Sequence, residues 1–78
     1  MALLIRGSVG PGVTQLQADL DRCGYASSDE PGVYSADTER AVRSFQDAYG
    51  LDVDGKAGDE TLAKIAEVIG SLTPPEGA

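Results

Sequence analysis

At 78 residues the chain is one small domain, and with one cysteine and no histidine it offers neither an internal disulfide nor a conventional zinc site. Thirteen acids against six Lys and Arg give a formal net charge of −7, which argues against a nucleic-acid groove and against adhesion to an anionic membrane. No apolar run approaches the roughly 20 residues that a membrane-spanning helix needs.

The chain opens on a short apolar lead-in, Ala2, Leu3, Leu4 and Ile5, which either packs on the rest or forms a brief strand. Arg6 interrupts it well short of the roughly 7–15 apolar residues of a signal peptide, so no signal peptide is expected. A chain of this kind acts where it is made, as a phage-encoded one would, leaves by another route, or is cut from a larger protein. A Gly-rich turn, GSVGPG, then feeds a first helix predicted over residues 11–23, with Pro11 in the first turn, where its missing N–H is harmless. Val13, Leu16, Leu20 and Cys23 recur at helical spacing and form its buried stripe, while Gln15, Gln17, Asp19 and Asp21 are expected to face water. Cys23 thus lies on the core side. A reactive thiol needs basic neighbours, and only Arg22 is one, so an inert core cysteine is expected.

Gly24 and Tyr25 close that helix, and a polar loop, ASSDEP, leads to the central stretch GVYSADTERAVRSFQ. Here Ser35 is the expected N-cap, Asp37 and Glu39 sit in the first turn facing the positive end of the helix dipole, and Ala41, Val42, Phe45 and Ala48 form an apolar stripe. The second helix is predicted over residues 36–49, with Gly50 free to take a left-handed conformation after it. Between it and the third helix lies LDVDG, with Val53 the expected plug into the core and Asp54-Gly55 a turn. The third helix is predicted over residues 59–69 with Leu62, Ile65, Ala66 and Ile69 as its stripe and Gly70 as its stop. Residues 71–78, with Pro74-Pro75, read as a C-terminal tail or linker after a domain spanning residues 1–70.

Shifting Gly32 onto Gly55 places Ser35 on Gly58, Thr38 on Thr61, Val42 on Ile65 and Phe45 on Val68, and a fainter copy begins at Gly7. Such a repeat marks a unit that cannot bury its apolar face alone. The expected fold is therefore all-α, a compact three-helix bundle built from an internal loop–helix repeat.

Sequence features that resemble catalytic or metal motifs fail on spacing. DVDG at residues 52–55 lacks the acid, Gly and Glu of a calcium loop, which fall on Lys56, Ala57 and Ala63. The pairs Asp29-Glu30 and Asp59-Glu60 lie in a loop and a helix first turn, where they stay ionised and cannot act as a glycosidase acid. Without histidine no nucleophile–base pair forms, and the chain is expected to be neither an enzyme nor a holder of a metal or cofactor. Two features stay open. Tyr34 is either a hydrophobic staple ahead of the second helix or an exposed aromatic platform for a sugar or peptide, and Arg40 and Arg43 form either a solvated face or a carboxylate-recognition pair.

In order and spacing, GSVGPGVTQLQADLDRCGY, GVYSADTERAVRSFQDAYGLDVDG and GDETLAKI resemble the bacterial peptidoglycan-binding domain, the small three-helix module of cell-wall hydrolases. The chain departs from the family at Pro31, where an Asp is usual, and at Ser35-Ala36 and Gly58-Asp59, where Gly-Pro is usual. The resemblance implies non-catalytic binding of peptidoglycan, through its glycan or its stem peptide. Such a module targets an associated cell-wall hydrolase domain or stands alone at the wall, in the periplasm or outside the cell. A ligand-binding groove is then expected at the start of the second helix, with Tyr34, Ser35, Asp37, Thr38 and Arg40, where free N–H groups would receive a carboxylate. The alternative on the same fold is a protein–protein module or an inhibitory pro-segment, for which Arg22-Cys23-Gly24 would be the metal-capping motif.

Overall fold

A computed structural model of the protein describes residues 3–72. Three helices follow in order: α1 over Pro11–Arg22, α2 over Ala36–Ala48 and α3 over Asp59–Leu72. Helix α1 lies against both others. Val13, Leu16 and Leu20 of α1, Ala41, Val42 and Phe45 of α2, and Ile65 of α3 meet in one core with Tyr34 and Ala57 from the loops. Phe45 is at its centre, with the Tyr25 ring edge-on at 5.8 Å between centroids and the Tyr49 ring at 4.6 Å.

The apolar lead-in does form a strand-like strap, though only single bridges pair it. Leu4 bridges Ala57, with N–H to carbonyl distances of 3.0 and 2.8 Å, and Val9 bridges Val33. Gly7 N–H donates to the Tyr34 carbonyl, Tyr34 N–H to the Ser8 carbonyl and Gly10 N–H to the Gly32 carbonyl. One segment thereby ties both interhelical loops to the start of α1.

Several expectations are corrected. The third helix does not stop at Gly70. That glycine stays helical, and α3 runs on through Ser71 to Leu72; residues 73–78, with Pro74-Pro75, lie outside the described residues. Val53 is 49 % exposed and is no plug; Leu51 and Ala57 reach the core from that loop instead. Ala48 and Ala66 face solvent, and Thr38, Gln46 and Thr61 take buried places among the apolar side chains. Gln17, expected in water, is half-buried.

Those polar groups carry the repeat. Gln17 Oε1 accepts from Gly32 N–H at 2.8 Å, while its Nε2 donates to the Val33 carbonyl at 2.9 Å and to Thr38 Oγ1 at 3.1 Å. Gln46 does the same one unit later: Oε1 accepts from Gly55 N–H at 3.0 Å, and Nε2 donates to the Lys56 carbonyl at 3.0 Å and Thr61 Oγ1 at 3.1 Å. A glutamine on each of the first two helices thus clamps the following loop to the first turn of the next helix. Backbone polar groups buried between elements must find partners, and here a side chain with both donor and acceptor supplies them.

Candidate functional site

The start of α2 is where the expected binding residues gather, and the structure brings all five of them there. It does not leave them free. Tyr34 is 1 % exposed, and its hydroxyl donates to the Gly55 carbonyl at 2.6 Å. Burial pushes its phenol well above the usual tyrosine value. It is therefore no exposed aromatic platform, and the ring is locked by a hydrogen bond rather than merely folded onto the first turn of α2. Thr38 is likewise buried, shared between Gln17 and the Ser27 hydroxyl at 2.8 Å.

Ser35 occupies the N-cap position, but its hydroxyl makes no capping bond. Asp29 takes that role from the preceding loop. Its Oδ2 accepts from Ser35 N–H at 3.0 Å and from Thr38 N–H at 2.7 Å. Burial alone would raise this carboxyl, yet the Thr38 and Ser35 donors hold it below the ordinary carboxylate range. The expected receptor for an incoming carboxylate is thus already filled by a carboxylate of the chain itself.

Asp37, in the first turn, reaches back the other way. Its Oδ2 accepts from the Ser28 N–H at 2.5 Å and hydroxyl at 2.6 Å, and its Oδ1 accepts from the Arg40 guanidinium. The Ser28 bonds first, then Arg40, hold this carboxyl far below its ordinary value. Asp29 and Asp37 together staple the loop over residues 26–31 onto the helix. Of the five expected residues, only Arg40 presents its functional group mainly to solvent, with its side chain 67 % exposed.

Sequence reasoning missed Asp29, Gln17 and Gln46 as organisers of this region. A signal for the glutamines was present, since Val13-x-x-Leu16-Gln17 and Val42-x-x-Phe45-Gln46 repeat the same pattern. Beside each glutamine clamp lies a shallow open cleft. One, of about 360 Å³, is walled by Leu3, Leu51, Lys56 and Thr61; the other, of about 340 Å³, by Thr14, Ala18, Ser27 and Pro31.

Next to Arg40 on the outer face of α2 stand Arg43 and, from the strap, Arg6. Arg6 Nη1 lies 3.7 Å from Glu39 Oε1. Arg43 lies across Gly55: a Cβ added to that glycine would sit 2.8 Å from Arg43 Nε and 2.9 Å from Glu39 Cγ. Gly55 itself is held from beneath by Tyr34. Among the described residues no group of three or more acids and Cys stands ready to hold a metal, and no helix is long and apolar enough to cross a membrane.

Comparison with known proteins agrees with the fold. A family model described as a putative peptidoglycan binding domain matches residues 9–65. The spore cortex-lytic enzyme of Bacillus subtilis (strain 168) is 47 % identical over 57 residues, which are 72 % of this chain and 19 % of that enzyme. The crystal structure of the SleB N-terminal domain superposes with a TM-score of 0.80 at 35 % identity, covering 85 % of this chain and 90 % of that one. An L,D-transpeptidase structure (residues 123–326) from Xylanimonas cellulosilytica DSM 15894 also gives 0.80, at 38 % identity, covering 87 % and 33 % respectively. The chain spans about a fifth of the length of the curated relatives it matches.

Proposed function

This chain belongs to the family of putative peptidoglycan binding domains, and from that premise we propose that it binds bacterial cell-wall peptidoglycan without acting on it chemically. The observation that carries this reading is the match over residues 9–65, which takes in most of the described fold, to a domain that forms only a fifth of wall-lytic relatives. The chemistry of the chain supports it. With no histidine there is no conventional base, and Asp29 and Asp37 are held ionised by backbone and side-chain donors. A module of this kind works at the cell wall, keeping a wall-active domain close to its polymer, where tethering raises the local concentration.

Contact with the ligand falls to the surface around the start and outer face of α2. There Ser35, Asp37 and Arg40 are in reach, while Tyr34 and Thr38 position them from within. Co-sedimentation of the purified domain with peptidoglycan sacculi tests the reading. Retention in the pellet, saturating with added domain and competed by soluble muropeptides, is the expected result. A domain that stays in the supernatant at every sacculus concentration overturns it.

The protein–protein alternative gains nothing from the Arg22-Cys23-Gly24 sequence. Cys23 is half-buried at the end of α1, and burial, then Asp19, push its thiol up rather than toward the thiolate that caps a metal.

A further inference from the structure

We propose that the arginine face of α2 receives the free carboxylates of peptidoglycan stem peptides, with Arg43 as the group that grips them. This rests on the wall-binding reading above and names the chemical group it recognises. Three of the six cations of a strongly acidic chain, Arg6, Arg40 and Arg43, collect on this face. Arg40 and Arg43, three residues apart on one helix, are surface neighbours. Arg40 is committed to Asp37 and Arg6 to Glu39, whereas Arg43 has no acidic partner among the described residues.

Arg43 also packs against the adjoining loop. Its side chain rests on Gly55, where the absent Cβ leaves room for it, and Tyr34 fixes that loop from beneath. A planar guanidinium matches a carboxylate as a two-pronged donor, and one that is already positioned loses less freedom on binding. The flanking carboxylates of Glu39 and Asp37 repel any anion, but a single carboxylate far less than a phosphate-rich polymer, which would bring several charges against them. The rest of the surface, with an excess of acid, would repel any carboxylate that arrived elsewhere.

The test uses sacculi stripped of phosphate polymers, split into a native batch and one whose carboxyl groups have been converted to methylamides. General electrostatics predicts that an acidic protein binds the neutralised batch better; recognition through Arg43 predicts the reverse. The expected result is binding to native sacculi that weakens about tenfold on amidation, the size set by one charge-assisted hydrogen-bonded contact. Arg43→Gln should lose about the same factor on native sacculi and become indifferent to amidation, with an unchanged melting curve. Should Arg43→Gln melt early, Arg43→Lys and the amidation arm on the unaltered protein decide the matter. Equal or tighter binding to amidated sacculi overturns the proposal and leaves the wall reading standing. Tighter binding to unstripped wall that depends on Arg43 also overturns it, in favour of phosphate. No binding to native sacculi removes the wall reading and this proposal with it.

Discussion

The two joints between helices are built to one plan, and they differ in one place. At the end of α1, Tyr25 N–H donates to the Leu20 carbonyl at 2.8 Å and Gly24 N–H to the Asp21 carbonyl at 3.0 Å. At the end of α2, Leu51 N–H donates to the Gln46 carbonyl at 2.8 Å and Gly50 N–H to the Asp47 carbonyl at 3.4 Å. Both are the paired closure that a left-handed glycine allows, with φ of 93° at Gly24 and 72° at Gly50. Each joint then returns through a glutamine clamp to a buried threonine. But eight positions separate Gly24 from Gly32, against five from Gly50 to Gly55. The longer first loop uses its additional length for Ser28 and Asp29, which with Asp37 form a second set of ties onto α2. The shorter loop has Asp54 alone, accepting from Lys56 N–H and Gln46. A shared clamp fixes the fold, and what is hung on each loop is free to differ.

Removing what both joints share should do the most damage. Phe45→Ala strips the ring between Tyr25 and Tyr49 and should cost about 3–5 kcal/mol. Small domains hold little more than about 5 kcal/mol in total, so the variant should keep only about 0–2 kcal/mol at 25 °C and show a denaturation midpoint far below that of the unaltered protein. A wild-type melting curve would mean that the core is not centred there.

The two clamps should separate next. Gln46 is 1 % exposed, and Gln46→Ala would strand the buried Gly55 N–H and Thr61 hydroxyl, at a cost of about 3 kcal/mol. Gln17 does the same work at a half-buried site where water can step in, so Gln17→Ala should cost about 1–2 kcal/mol. Equal losses in urea titrations would break the distinction between the joints.

Acid should sharpen it. Asp29, Asp37 and Asp54 all have folded-state values held below the ordinary one, by bonds from Thr38 and Ser35, from Ser28 and Arg40, and from Lys56 and Gln46 respectively. A depressed carboxylate adds stability that is fully present above its unfolded value of about 3.9 and is lost as pH falls through the folded value. Stability should therefore be flat from neutrality down to about pH 5 as far as these groups are concerned, and decline below about pH 4. Two of the three tie down the first loop, so Asp29→Asn with Asp37→Asn should flatten the acid limb more than Asp54→Asn does. The measurement is urea midpoint against pH, and a steeper change for Asp54→Asn would reverse the assignment of the ties.

The helices were legible because each carries its own stripe and the first two their own stop, so Val13, Leu16, Leu20, Val42, Phe45 and Ile65 could be placed in the core from spacing alone. What stayed hidden depends on partners distant in sequence. Tyr34 is buried because its hydroxyl finds the carbonyl of Gly55, and no local pattern announces a partner in the next loop. Ser35 looked like the cap because it stands where caps stand, yet Asp29, six residues upstream of it, accepts from the Thr38 N–H that such a cap would take. Gln17 looked solvent-facing because glutamine usually is. Gly70 looked like a stop because glycine often is one, but α3 continues past it, at the modest propensity cost of a helical glycine.

The smallest effect contrasts the residues that cap the two helices. Cys23 ends α1 half-buried against the core, whereas Tyr49 in the matching place on α2 is 38 % exposed. Burial raises the Cys23 thiol first, with Asp19 adding to it, so little thiolate is present at neutral pH and access is restricted as well. A thiol reagent should therefore label Cys23 slowly in the native protein and quickly in denaturant. Its native rate should go on rising with pH beyond the region near 8.5 where a free thiol levels off. A thiol at the other joint, Tyr49→Cys on a Cys23→Ala background, should react in the native state at close to its unfolded rate. If Cys23 reacts as fast folded as unfolded, the end of α1 opens as freely as the end of α2, and the two joints differ only in their loops.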